Sequence, residues 1–381
     1  DYVAGGFLFN PITNRNHHAD LPILAITQEY GAIPRDEIDY KVSVTEKSLK
    51  AYKIVEKGDF IISLRSFQGG IEYSMYDGIC SPAYIILRKK TNIIDQYYKY
   101  YFKSYRFIQD LNKDLEGIRD GKMISYSQFS SILLPKPDKE EQQKIADCLS
   151  SIDDLISAEE KKLSLLNDYK KGWMQKLFPS EGKTVPEWRF PEFRDSGDWE
   201  NTTIEKIADY ENGKAHENNI IDNGKYIVVN SKFISTEGEI IKYTNEANLL
   251  AYKGDILMVL SDVPNGRALS KCYLVEKDNV YTVNQRVCRI IPEKVNSTLL
   301  FYTINRNKYF LSFDDGVKQT NLKKNDVLSC SIVIPKEPDE QEKIADFLSG
   351  IDELISSQKE KIEKLKQHKI ALMQGLFPSL E

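Results

Sequence analysis

Residues able to carry catalysis are few in this chain, and their spacing does not suit it. Two adjacent carboxylate pairs stand out, Asp153-Asp154 and Asp314-Asp315. Metal-assisted phosphodiester cleavage needs a further spaced carboxylate and a lysine beside such a pair, and neither pair has them. His17-His18 reads as a surface loop, and H-E-x-x-H is absent. An amino-methyltransferase needs an Asn/Asp-Pro-Pro-aromatic loop and a glycine-rich loop. The nearest string, Asn10-Pro11-Ile12-Thr13, lacks the second proline and the aromatic residue, and Gly69-Gly70 is only a turn. No G-x-x-x-x-G-K-[ST] phosphate loop is present. The five cysteines, Cys80, Cys148, Cys272, Cys288 and Cys330, form no C-x-x-C pair. Reduced thiols are expected, with neither a disulfide framework nor structural zinc. No catalytic residue, metal site or cofactor is expected.

The elements that would position any site are clearer. The 381 residues exceed one ordinary core, and 41% hydrophobic content is ample for globular folding. No 18-residue apolar window and no secretory leader are found, so a cytoplasmic protein is expected. A repeat organises the rest. Residues Glu141–Pro179 and Glu340–Pro378, offset by 199, share 21 identities in 39 positions. In the first copy Ile145, Leu149, Ile152, Ile156, Leu163, Leu166, Trp173 and Leu177 recur by threes, fours and sevens, and the second copy matches. That spacing lays a narrow apolar seam along a helix of about 38 residues, roughly 57 Å at 1.5 Å per residue. Polar residues interrupt the seam at Glu159/Gln358 and Lys170/Lys369. Asp138 with Glu141, and Asp339 with Glu342, resemble capping boxes, and Pro179 and Pro378 end the helices. Either each helix packs on its own head or, as the sharper reading, each is the other's best seam and the two form one intramolecular coiled coil.

The segments ahead of the two helices share landmarks but little sequence. Lys57-Gly58-Asp59 corresponds to Lys253-Gly254-Asp255, each a turn into a buried strand, and Ile132–Pro135 corresponds to Ile332–Pro335. Val, Ile, Tyr and Phe broken every 8–12 residues by Gly, Asn and Asp predict α+β heads. The expected boundaries are a first head at 1–135, a helix at 136–179, a second head at 180–335 and a helix at 336–381. Trp199–Ala208 opens the second head. No counterpart is recognisable ahead of Asp1, so a native N-terminal start of some tens of residues is expected to be missing.

This order, with E-Q-x-K-I-A-x-x-L-S-x-I-D-x-L-I running to M-Q-x-L-F-P in both copies, resembles the specificity subunit of type I restriction–modification systems across essentially the whole chain. The resemblance implies two α/β target recognition domains in a pseudo-two-fold repeat, separated by two long antiparallel helices. It implies that each head reads one half of an interrupted double-stranded DNA site. It implies docking of two methyltransferase subunits, through them restriction subunits, and no catalysis by the chain itself. A coiled-coil scaffold whose heads bind protein or glycan is the alternative, and a standalone enzyme is disfavoured by the absent motifs.

Base reading calls for paired donors and acceptors on turns. In the first head these are Arg65, Ser66 and Gln68, then Ser81, then Arg119 and Lys122. In the second they are Asn265 and Arg267, then Asn284, Gln285 and Arg286, then Lys318, Gln319 and Asn321. Charged positions kept in both helices, Lys144/Lys343, Asp147/Asp346 and Asp153/Asp352, are the expected partner-binding residues. Helix length would act as a ruler for the spacer between half-sites. Residues 1–135 carry 17 basic and 16 acidic side chains, and residues 180–335 carry 20 and 22. Most of the chain's net charge of −5 therefore lies on the helices. Near-neutral heads predict weak DNA affinity for the chain alone.

Overall fold

The structure, a computed structural model, describes residues 1–17, 21–38, 46–113, 124–216 and 219–377. It divides into two units, Asp1–Lys162 with Lys359 onward, and Leu163–Gln358. Each unit holds one head, the first part of one long helix and the last part of the other.

The same sheet recurs in both heads. In the first, four antiparallel strands run in the order Phe9–Ile12, Ile85–Lys89, Phe60–Ile62, Glu72–Tyr73. In the second the order is Ala208–Asn212, Val287–Pro292, Ile256–Val259, Cys272–Leu274. The inner strands Phe60–Ile62 and Ile256–Val259 are buried throughout, which is why they read as apolar runs, and Pro11 sits on an edge strand where no ladder donor is needed. A helix backs each sheet, Asp95–Tyr101 in the first head and Ser297–Ile304 in the second. The first head fills its core with rings: Phe9, Phe60, Tyr98, Phe102, Phe107 and Phe129 are all buried. Phe9 alone meets four of them at centroid distances of 5.4–6.0 Å. Many of this head's abundant aromatics are therefore core, while Phe7, Tyr30 and Tyr105 are exposed. Beyond the first sheet, the second head carries a mixed sheet in the order Tyr243–Thr244, Tyr226–Val229, Tyr281–Val283, Leu250–Ala251. The first head has two separate pairs there, Leu24–Thr27 with Gly31–Pro34 and Lys53–Val55 with Gly78–Cys80.

The shared Lys-Gly-Asp turns are structural. Gly58 and Gly254 adopt φ of 97° and 93°, where only glycine is unstrained. The aspartate that follows is buried. Asp59 Oδ2 accepts the Glu56 N–H at 2.8 Å, and Asp255 Oδ2 accepts the Tyr252 N–H at 2.7 Å. A guanidinium neutralises each one. Arg88 binds Asp59 through two nitrogens at 2.7 Å, and Arg289 Nε donates to Asp255 at 2.6 Å. Burial of these carboxylates is tolerable because each is hydrogen-bonded and charge-paired, Asp59 through both oxygens and Asp255 twice through Oδ2.

The opening of the second head does have a counterpart. Glu200–Thr203 pairs with Ser331–Ile334 and leads through a single helical turn, Ile204–Ile207, into the sheet. In the first head Tyr2–Ala4 pairs with Leu133–Pro135 and leads through Gly5–Leu8. Sequence comparison missed it because the two openings share fold and not residues.

The long helices are Lys139–Leu177 and Pro338–Leu376, 39 residues each. Inside each unit they run antiparallel. In the first unit Asp153 meets Lys369 at 2.5 Å, and Glu159 meets Lys361 at 2.5 Å. In the second, Lys170 meets Asp352 at 2.6 Å, and the Trp173 and Phe347 rings lie 5.1 Å apart. Seam residues Leu149, Ile156, Ile344, Leu348, Ile351, Ile355 and Ile362 are buried. The polar interruptions are thus ion-paired or, for Gln358, buried. Asp138 caps the first helix by accepting the Glu141 N–H at 2.8 Å. The second helix instead starts at Pro338, whose fixed φ suits a first helical position, so Asp339 lies inside it. Pro179 follows the end of the first helix, and Pro378 lies outside the described residues.

Candidate nucleic-acid interface

In the second head the three expected turns meet around one strand end. Leu260 follows the strand Ile256–Val259; its N–H donates to the Arg286 carbonyl at 2.8 Å, and its carbonyl accepts the Leu322 N–H at 2.8 Å. Ser261–Asp262 pairs with Thr320–Asn321. The Asn265 N–H reaches Asp314 at 3.0 Å, and its side-chain amide reaches the Gly316 carbonyl at 3.3 Å. Turns far apart in sequence, 261–267, 284–286 and 314–321, are thereby tied into one surface. Arg267, Arg286, Lys318, Gln319 and Asn321 are exposed on it.

The acidic residues of this surface face its own backbone. Asp262 Oδ2 accepts the Ala268 N–H at 2.6 Å. The N–H groups of Lys318 and Val317 bind Asp315 and hold its carboxyl below the usual range. These carboxylates shape the loops. Among the described residues no group of three or more His, Cys, Asp or Glu could hold a metal ion.

Side-chain detail sorts the candidates. Arg286 occupies φ 68°, a left-handed turn conformation that aims it off the strand. Gln319 donates to Ser261 Oγ at 2.7 Å, which fixes its amide plane. Gln285 and Arg286 line an open cleft of about 270 Å³ with Asn230, Ser231 and Lys232, three residues the sequence reading missed. Their signal was weak, because Asn230 reads as a helix cap, and it is one, accepting the Lys232 and Phe233 N–H groups. Asn284 lines the same cleft and also has a structural role. Its Oδ1 accepts the His216 N–H at 3.1 Å, pinning the neighbouring loop.

The first head is less complete. Arg65 and Gln68 are exposed on the turn around Ser66–Gly69, and Gln28, not anticipated, donates to the Arg65 carbonyl at 3.2 Å. Ser66 is corrected. It is 1% exposed, and its Oγ accepts the Ser63 N–H at 2.9 Å, so it holds the turn from inside. Ser81 Oγ likewise accepts the Ala83 N–H at 3.3 Å. Arg119 and Lys122 lie outside the described residues, as does His18, while His17 Nε2 lies 3.1 Å from the Leu49 carbonyl. Burial pushes the thiols of Cys80, Cys288 and Cys330 up to about 12, which keeps them protonated and unreactive.

On the helices, Asp153 and Asp352 make internal contacts. Asp153 takes Lys369 and the Tyr100 hydroxyl at 2.8 Å, and Asp352 takes Lys170 and the Tyr302 hydroxyl at 2.6 Å. Lys144, Asp147, Lys343 and Asp346 remain exposed. Lys144 meets Glu140 on its own helix, and Asp147 accepts from Gln143 on its own helix. Leu155 and Leu354, matched across the repeat, are exposed apolar residues. Among the described residues no helix is long and apolar enough to cross a membrane.

Comparison with known proteins agrees with this layout. The chain is 29% identical over 361 residues to the type I restriction enzyme MjaVIII specificity subunit of Methanocaldococcus jannaschii, covering 87% of this chain and 81% of the relative. The fold matches a type I restriction–modification S subunit from M. genitalium with a TM-score of 0.60 at 15% identity, covering 100% and 96% of the two chains. It also matches a chain of a type I R-M system with a TM-score of 0.58 at 14% identity, covering 100% and 97%. The family profile described as type I restriction modification DNA specificity domain matches residues 9–168 and again 196–367. With both halves matched, each head together with helix, the chain belongs to the type I restriction modification DNA specificity family.

Proposed function

We propose that this chain is the non-catalytic DNA-reading subunit of a type I restriction–modification complex in the cytoplasm. Each head reads one half of an interrupted duplex site. The observation that carries the reading is the convergence of three turns at Leu260, which gathers Arg267, Arg286, Lys318, Gln319 and Asn321 onto one exposed surface. Arg matches the acceptors of guanine, and Asn and Gln match adenine. The first head offers Arg65, Gln68 and Gln28 on its corresponding turn. Two methyltransferase subunits dock on the helices at Lys144, Asp147 and Leu155 in one copy and Lys343, Asp346 and Leu354 in the other, because exposed identities kept in both copies indicate one partner met twice. Restriction subunits join through them. A scaffold with protein- or glycan-binding heads is not favoured, given the family.

The test is expression with the modification subunit of the same system. Co-purification as a complex with one copy of this chain and two of the modification subunit is expected, with adenine methylation at a two-part site. Methyl transfer by the purified chain alone would overturn the non-catalytic assignment, and failure to co-purify would overturn the docking assignment.

A further inference from the structure

A loop that reads bases must be held before DNA arrives, because ordering it on binding consumes affinity. Both heads hold their reading loop from behind by the same route, built from different residues. In the first head the turn Ser66–Gly69 is followed by Gly70 at φ 78°, where a Cβ would fall 1.9 Å from the Phe102 carbonyl oxygen. The next residue after Phe102 is Lys103. Its Nζ donates to the Gly69 carbonyl at 3.0 Å and lies 2.6 Å from the buried Glu72 carboxylate. Three residues earlier, Tyr100 donates to Asp153 of the long helix at 2.8 Å.

In the second head Tyr302 donates to Asp352 at 2.6 Å. Arg306 then donates Nη1 to the Leu269 carbonyl at 3.0 Å and its N–H to the Ser270 carbonyl at 3.1 Å. Arg306 and Ser270 adopt φ of 55° and 54°, a strained crossing that surrounding contacts must maintain. The neighbouring Asn305 accepts the Cys272 N–H at 3.0 Å. In each head the path runs from a long-helix carboxylate through a tyrosine to a cation, and from there to the carbonyl at the foot of the loop. The sequences around Lys103 and Arg306 share no motif, so the equivalence is one of position.

We propose that Lys103 and Arg306 are positioning residues for base reading. Each fixes the foot of its own head's loop and so sets base preference in one half-site without contacting DNA. This rests on the assignment of those loops as the reading surface. A direct phosphate contact would act differently, weakening all sequences equally.

The experiment uses the full chain assembled with its modification subunit and a randomised duplex pool, with bound duplexes sequenced. Arg306→Met is expected to flatten base preference about fivefold in one half-site and leave the other unchanged, with Arg306→Lys restoring most of it. Lys103→Met combined with Glu72→Gln, which avoids a lone buried carboxylate, is expected to act on the opposite half-site. Arg286→Ala and Gln319→Ala serve as loop-tip references. If these alter preference and Arg306→Met does not, the positioning proposal is wrong. It is also wrong if Arg306→Met weakens all sequences uniformly or relaxes both half-sites equally. If the loop-tip variants change nothing, the reading-surface assignment fails first.

Discussion

Reading chemistry and structural chemistry fall on the same residue types in this chain, and hydrogen bonding to the backbone separates them. Ser66 and Ser81 have the right atoms for base contacts but commit their hydroxyl oxygens to backbone N–H groups, and Asn284 commits its Oδ1 in the same way. Arg286 commits its carbonyl to the Leu260 N–H and keeps an exposed side chain on a left-handed turn. Sequence alone identified these polar clusters but could not sort them, because turn-forming and base-reading residues are both Asn, Ser, Gln and Arg. Arg286→Ala is the sharpest single test. Alanine tolerates φ 68° about as poorly as arginine does, so the comparison isolates the guanidinium. A loss of about 1–3 kcal/mol in specific binding is expected, confined to one base position. Gln319→Ala, with its amide already fixed by Ser261, should cost a similar amount at a different position. Band shifts of the assembled complex on cognate and single-substitution duplexes measure both, and unchanged discrimination would remove them from the site.

The elements were more legible. Spacing of threes and fours gave both long helices, and the interruptions at Lys170 and Lys369 were visible as breaks in the seam. What retention across a repeat cannot reveal is whether the shared demand is internal. Lys170 and Asp352 are 182 residues apart and meet only once the antiparallel register is known. The first-head opening was missed for the same kind of reason: Tyr2–Ala4 is a three-residue strand whose partner, Leu133–Pro135, lies at the far end of the head. The internal role of the aspartates predicts stability effects. Burial, together with the Asp352 carboxylate, holds the Tyr302 phenol well above its ordinary value, so the hydroxyl stays protonated and donates. Asp352→Ala would strand that hydroxyl and cost about 1–3 kcal/mol. The Lys170 pairing adds little, since both groups are partly solvated. Asp352→Asn keeps an acceptor and should cost less, and Asp153→Ala should match Asp352→Ala through Tyr100. Urea unfolding of the four proteins measures this. Stability unchanged in both alanine variants would return the aspartates to the list of partner contacts.

At the scale of the whole molecule the electrostatics and the fold point to the same requirement. A net charge of −5 is unusual for a chain that must engage a polyanion, but the acidic excess lies mainly on the helices and the heads are close to neutral. Inside the second head the carboxylates nearest the reading turns are bound to backbone N–H groups, which lowers their repulsion of phosphate without supplying attraction. Base-edge contacts confer discrimination, whereas phosphate contacts and the counterions they release supply most of the affinity. A molecule with the first and few of the second should bind weakly until a partner completes a positive channel around the duplex. The chain alone should therefore bind DNA in the range of about 10⁻⁴–10⁻⁶ M, with a shallow dependence on salt. Adding the modification subunit should bring binding to about 10⁻⁸ M or tighter. The slope of log affinity against log salt should steepen by roughly 0.9 for each phosphate the partner neutralises. Fluorescence anisotropy across a salt series, with and without the partner, reads both quantities. Nanomolar binding by the chain alone with a steep slope would show that the heads carry phosphate contacts of their own, and that the charge balance of the sequence misrepresents the surface presented to DNA.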